Sequence, residues 1–223
     1  MCARYTLTQK NVESLKSRFK IEEIRGELKL GRYNIAPTQN VPVLFNNGGK
    51  RTLAPFRWGL IPSWAKEPAI GTKMINARVE TLTEKVSFKH LLKHNRCMAI
   101  ADGFYEWTTD GSGKYPMRFT KKNSDLFAFA GLWDRWNAPN GTEIRTFTII
   151  TTNSSPHELI RKHHERMPLI LTEETEGLWL QSEENPQILI EKILQPLPSI
   201  FMENQRVSTL VNSPRNDSEA ILK

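Results

Sequence analysis

Cysteine is scarce in this chain: Cys2 and Cys97 are the two present in 223 residues. That number excludes a disulfide framework, and with no His or Cys pair at zinc spacing it excludes a structural metal cluster as well. No apolar run reaches the roughly 18 residues of a membrane span, and the N-terminus lacks the apolar stretch of a signal peptide. Neither membrane insertion nor secretion is therefore indicated, and a cytoplasmic protein is expected. Internal repeats, low-complexity tracts and long Gly/Ser linkers are also missing, so one compact domain over residues 1–223 is expected. Acidic residues are outnumbered, 24 against 31 Lys and Arg, which leaves a net charge of +7. Such a balance suits a polyanionic partner, and its spread along the chain points to a folded basic surface over a charged tail.

What is present reads as strands with a few helices. Val12, Leu15 and Phe19 stand at helical spacing within residues 8–20. Val41–Phe45 and Arg51–Phe56 flank Asn46-Asn47-Gly48-Gly49, a hairpin signature. A second hairpin is expected from Arg96 through Trp107, turning at Asp110-Gly111-Ser112-Gly113 and returning through Tyr115 to Thr120. Leu126–Trp133 and Ile144–Thr151 are rich in β-branched and aromatic residues, with a turn at 137–141 between them. Ser155-Pro156-His157-Glu158 combines a capping residue, proline and a box-closing glutamate, which predicts a helix ending near His164. A strand at Pro168–Leu171 and helices over 173–181 and 186–194 complete the pattern. Without regular βαβ alternation the fold class is α+β, a mostly antiparallel sheet with peripheral helices.

Several short segments bear chemistry. In Met1-Cys2-Ala3-Arg4-Tyr5, removal of the initiator methionine, which a small second residue favours, would give Cys2 a free amine beside its thiol. Reference pKa values of about 7.7–8.0 and 8.5 leave both groups partly nucleophilic near neutrality. An aldehyde meeting that pair forms an imine, which the thiol closes to a five-membered thiazolidine. Cys97, inside Cys97-Met98-Ala99-Ile100, reads as a core residue. Asn76-Ala77-Arg78-Val79-Glu80 offers an amide, a phosphate-gripping guanidinium and a carboxylate, or else an Arg–Glu pair that braces a loop. Glu106 lies within Asp102-Gly103-Phe104-Tyr105-Glu106-Trp107. Facing inward it would have a raised pKa suited to acid–base work, and facing outward it would be a solvated strand residue. His163 and His164 stand where a helix is expected to end, a place that favours the protonated ring. Neighbouring rings diverge on a helix, so one of them enters any given site, and His163 is the more readily explained as a terminator. The loops Gly31–Pro37 and Trp58–Trp64 can stack bases and grip phosphates, or form core corners.

Taken in order, these segments resemble the SRAP family of abasic-site processing proteins. The likeness rests on Cys2 with Arg4, Gly31-Arg32-Tyr33-Asn34-Ile35-Ala36-Pro37, Trp58-Gly59-Leu60-Ile61-Pro62, Asn76–Glu80, Arg96-Cys97 with Ala101–Trp107, His164-Glu165-Arg166-Met167-Pro168, and Val207-Ser208 with Val211-Asn212. It spans nearly the whole chain. The resemblance implies a curved or barrel-like sheet and capture of the ring-opened aldehyde of an abasic site in single-stranded DNA as a thiazolidine cross-link. In that scheme Cys2 is the nucleophile, Asn76 orients its amine, Glu106 is the acid–base catalyst and His164 relays a proton. Arg4, Arg32 and Arg78 hold phosphates, while Pro37, Trp58 and Trp64 shape the wall that splays the strand. Lyase chemistry, reversal and cysteine-dependent self-processing are implied as well. No metal or cofactor is needed, and a monomer that joins the nucleoid when bound to DNA is expected. Two departures stand out: Ala3 replaces the family's glycine, and Ala65 stands where some relatives carry a second tryptophan. Competing readings are an N-terminal-nucleophile cysteine amidotransferase or peptidase and a non-enzymatic module binding single-stranded or modified DNA. The first lacks its glutamine-pocket signature, and the second leaves Cys2, Glu106 and His164 without a shared purpose.

Overall fold

In chain order the strands are β1 (Tyr5–Leu7), β2 (Glu23–Ile24), β3 (Arg32–Ile35), β4 (Asn40–Asn47), β5 (Lys50–Trp58), β6 (Asn76–Arg78) and β7 (Arg96–Ala101). They continue with β8 (Gly103–Asp110), β9 (Gly113–Lys121), β10 (Phe127–Asn137), β11 (Glu143–Asn153), β12 (Arg166–Pro168), β13 (Ile170–Leu171) and β14 (Met202–Arg206). The helices are α1 (Val12–Phe19), α2 (Val86–His94), α3 (Glu173–Gln181) and α4 (Pro186–Ile193). This computed structural model describes residues 2–111, 113–122, 125–181, 185–193 and 195–223. Met1, Ser112 of the expected hairpin turn and Leu194 of the expected last helix lie outside the described residues.

Five strands close on themselves. β11, β10, β7, β4 and β5 pair antiparallel in that order, and β5 then pairs in parallel with β11 through Arg57–Thr146 and Trp58–Phe147. Closure of this kind removes the open sheet edges of the ring. A second sheet, ordered β14-β9-β8-β1-β3, is antiparallel and curls against it. The two share a core of buried aromatics: Tyr5 of β1 meets Trp58 at 5.2 Å and Phe129 at 5.6 Å, and Phe104 of β8 meets Phe129 at 6.0 Å. Burying each such side chain stabilises the fold by about 1.5–3 kcal/mol. The α+β class and barrel-like sheet agree with the sequence. Among the described residues no helix is long and apolar enough to cross a membrane.

Local chemistry explains the elements that were expected. Asn11 caps α1 by accepting from the Glu13 N–H, Leu15 and Phe19 bury the apolar face, and Lys20 ends the helix in the left-handed region at φ 53°. The β4–β5 hairpin turns through Gly48 and Gly49, both at positive φ. Cys97 is fully buried in β7.

Three expectations are corrected. Arg96–Trp107 is not one strand, because Asp102 breaks it: its N–H donates to the Thr6 carbonyl, and its carboxylate accepts from the hydroxyls of Thr6 and Thr8 and pairs with Arg118 at 3.2 Å. The chain leaves the ring after Ala101 and enters the curled sheet at Gly103. Residues 155–164 form no α-helix. Asn153 accepts from the Ser155 N–H, Ser154 bonds to the carbonyls of His164 and Glu165, and His157 accepts from the Ile160 N–H, so the capping groups close a loop around a 3-10 turn at Ile160–Lys162. Pro168–Leu171 is split into β12 and β13 because Leu169 donates to Ile150 on one side and accepts from Ala130 on the other.

Candidate active site

Cys2, Asn76 and Glu106 converge from three directions. Asn76 opens β6, which β11 holds in parallel register through Ile149. Its Nδ2 donates to the Cys2 carbonyl at 2.8 Å, and its buried Oδ1 has no hydrogen-bond partner among the described residues. Cys2 is fully buried, with Sγ 3.8 Å from the Arg4 carbonyl. Burial, reinforced by the nearby Glu106 carboxylate, holds the thiol well above its ordinary range, so sulfur stays protonated at neutral pH. Glu106 is 3% exposed. Strand alternation puts Phe104 and Glu106 on the inner face of β8, while Tyr105 packs outward with Val207, Val211 and Ile221. Trp107 on that outer face donates to Asn212 at 2.7 Å. The inward alternative for Glu106 is therefore the observed one, and burial pushes its carboxyl up to about 7 against the opposing charge of Lys114.

His164 ends the loop between β11 and β12. Its Nδ1 accepts from the Arg166 N–H at 2.9 Å, which puts the proton of the neutral ring on Nε2. The expected protonated ring is corrected, since no α-helix ends there and burial lowers its pKa. His163 diverges from it, contacting Thr108, Asn204 and the ring of Phe119. Thr108 follows Glu106 by two residues on the same face of β8, so the loop carrying His164 closes over the face that holds Glu106. Among the described residues no group of three His, Cys, Asp or Glu side chains gathers to hold a metal.

The expected strand-binding residues divide. Arg78 is exposed, Trp64 is 55% exposed and Pro37 is half-buried. Trp58 lies in the core: it is fully buried, donates to the Ile75 carbonyl at 2.9 Å and stacks against Phe147. Arg4 and Arg32 are committed within the protein. Arg4 donates to Asn34 at 2.9 Å and to the Val211 carbonyl at 2.7 Å, while Arg32 binds Asp217 and donates to Gln39 at 2.8 Å. Ala3 has no positive φ, so the methyl group it adds meets no backbone strain. The Ala65 carbonyl accepts from Trp136 at 2.6 Å, which pins the loop that presents Trp64.

This arrangement coincides with a family match over residues 1–214, to the family described as SOS response associated peptidase (SRAP). The chain belongs to the SRAP family. Abasic site processing protein YoqW of Bacillus subtilis (strain 168) is 45% identical over 225 residues, covering 100% of this chain and 99% of the relative. Abasic site processing protein HMCES of Xenopus tropicalis is 36% identical over 217 residues, covering 83% of this chain and 64% of the relative. A crystal structure of a protein from Bacteroides thetaiotaomicron superposes with a TM-score of 0.86 at 25% identity, covering 100% of this chain and 99% of that one.

Sequence reasoning missed the ties between the SRAP motifs. Glu80 does not pair with its neighbour Arg78. It forms a two-point ion pair with Arg166, at 2.7 and 2.9 Å, and so joins the segment carrying Asn76 to the segment carrying His164. Asn34 and Asp217 likewise bind the 31–37 loop to the C-terminal segment: Asn34 donates to the carbonyls of Val211, Ser213 and Asn216, and Asp217 accepts from two backbone N–H groups. The available signal was the presence of a buried-type polar residue in each motif, but nothing local indicates which motif it meets.

Proposed function

We propose that this SRAP chain processes abasic sites in single-stranded DNA by forming a thiazolidine cross-link through Cys2 once Met1 is removed. The observation that carries this reading is Asn76, which grips the Cys2 carbonyl while its unpartnered Oδ1 stays buried beside it. A free Cys2 amine would supply the missing donor and be aimed by it.

Glu106 enters protonated, as its raised pKa allows, and protonates the sugar ring oxygen as the abasic site opens to the aldehyde. The amine adds to the aldehyde carbon, and loss of the hydroxyl as water gives the imine. Sulfur then adds to the carbon of the protonated imine, whose nitrogen keeps its proton, the proton freed from the hemiacetal hydroxyl on ring opening having left with the water. The thiol proton passes to the carboxylate of Glu106, so the net reaction releases one water and changes no oxidation state. Neutral His164 relays protons at the imine stage. Reversal follows the same steps backwards, and β-elimination from the imine would give lyase activity. Self-processing that exposes Cys2 fits the peptidase in the family's description. Arg78 and Trp64 meet the strand with Pro37 at its side, and Arg4 and Arg32 shape the pocket from behind.

The test mixes methionine-processed protein with single-stranded DNA bearing one abasic site and follows it by denaturing gel and intact mass. An adduct one water lighter than its parts, absent with intact DNA and lost in Cys2→Ala, is expected. No adduct from protein whose N-terminus is verified as Cys2 would overturn the proposal.

A further inference from the structure

His163 is the residue at this corner that the proposed chemistry leaves unused, yet its ring reaches three adjacent strands of the curled sheet. Nδ1 meets the Thr108 hydroxyl on β8, Nε2 lies 3.1 Å from Asn204 Nδ2 on β14, and the ring stands edge-on to Phe119 of β9 at 5.3 Å. On its other side His163 belongs to the loop between β11, a strand of the closed ring, and β12, which pairs with it. The amides of His163 and His164 both donate to the Ile160 carbonyl, at 2.8 and 3.0 Å, so the two residues move as one unit. The loop is fixed at its base by Ser154, which bonds to His164 and Glu165, and by the two-point Arg166–Glu80 pair. The sheet that carries Glu106 and the loop that carries His164 thus meet at the Thr108–His163 contact.

We infer that His163 is a positioning residue, a latch that sets the distance between Glu106 and His164 by holding the loop to Thr108 and Asn204. The inference rests on the abasic-site reading for its catalytic consequence, whereas the latch itself is a matter of geometry. Glu106 and His164 must act on the same small imine, and a displacement of about 1 Å at a reacting centre can cost on the order of a hundredfold in rate. A latch between two sheets is a direct way to prevent it. Asn204, which donates toward Nε2 in this arrangement, directs the proton to Nδ1 and hence toward Thr108. Burial and the neighbouring Lys162 charge lower the His163 pKa, in keeping with a neutral ring used for hydrogen bonds.

Thr108→Val tests the latch without altering the loop, and Thr108→Ser restores the hydroxyl. Two readouts are combined. Amide hydrogen exchange at His163 and His164 should accelerate on the order of tenfold in Thr108→Val and return to the parent rate in Thr108→Ser, with β10 amides unaffected. The first-order rate of cross-linking at saturating abasic DNA should fall on the order of tenfold in Thr108→Val, while the half-saturating DNA concentration stays the same. Unchanged exchange overturns the latch, and faster exchange with an unchanged rate overturns the positioning role. Loss of DNA affinity and rate together would assign Thr108 to binding and also overturn it. Absence of adduct from the parent protein would instead refute the abasic-site reading, and the exchange result would still decide the latch.

Discussion

Glu106 brings a proton to neutral pH because the fold buries its carboxyl beside Cys2. Its folded-state pKa of about 7 exceeds the ordinary 4.5, so between those values the folded protein binds more protons than the unfolded chain. Stability contributed by the protonated carboxyl is therefore complete below about 4.5 and is lost as pH rises through 7. Glu106→Gln cannot ionise, and its unfolding free energy relative to the parent should rise across that window by on the order of 2–3 kcal/mol. Urea titrations of both proteins at either end of the window measure this, and a difference that is flat with pH would remove burial as the cause. The same variant should slow cross-linking and its reversal, because glutamine neither gives nor takes the proton. Opposite movement of stability and cross-linking in that variant would separate a functional carboxylate from a structural one.

At the level of elements, what could be read from the sequence was what local pattern determines. The β4–β5 hairpin and α1 carry their own turn, cap and apolar period, so no distant partner is needed to recognise them. β1, β3 and β6 are three or four residues long and exist because of neighbours remote in sequence, as when β11 holds Asn76–Arg78. No local pattern announces such strands. α2 has no side-chain cap at Lys85, so its start carried no signal. Ser155–Glu158 had the signal but not the helix, since Asn153, Ser154 and His157 spend their hydrogen bonds on closing the loop. For the site, the residue types were visible, but the inward face of Glu106 and the pairing of Glu80 with Arg166 required the fold. Gly59 is an element-scale case with a measurable consequence. It sits at φ +113° where β5 leaves the ring, donates to the Phe147 carbonyl, and a Cβ there would lie 2.5 Å from the Gly71 oxygen. Gly59→Ala should lower the unfolding free energy by about 2–4 kcal/mol and loosen the loop that presents Trp64. A loss under about 0.5 kcal/mol in urea denaturation would show that the loop adapts to a side chain.

Across the whole molecule, the site lies where the two sheets meet: Cys2 leads into β1 and Glu106 stands on β8 of the curled sheet, while Asn76 and His164 come from segments paired to β11. Neither sheet holds the full set. The internal ion pairs, Arg18–Glu176, Arg118–Asp102, Arg166–Glu80 and Arg32–Asp217, neutralise one charge of each sign. They leave the excess of +7 undiminished for the rest of the molecule. If that excess gathers phosphates around the site, noncovalent binding of single-stranded DNA must release counterions. The logarithm of the association constant should then fall linearly with the logarithm of salt concentration, with a slope of about −0.7 for each phosphate neutralised. Cys2→Ala protein, which cannot form the adduct, isolates this step in a fluorescence titration over a range of salt. Arg78 is exposed and not committed to an ion pair among the described residues, so Arg78→Ala in that background should make the slope shallower by about one phosphate. Arg32 is held by Asp217 and Gln39, so Arg32→Ala should act on stability before it acts on the slope. An affinity independent of salt would mean that aromatic stacking on Trp64 and the covalent step account for capture, and that the basic balance of the chain serves another purpose.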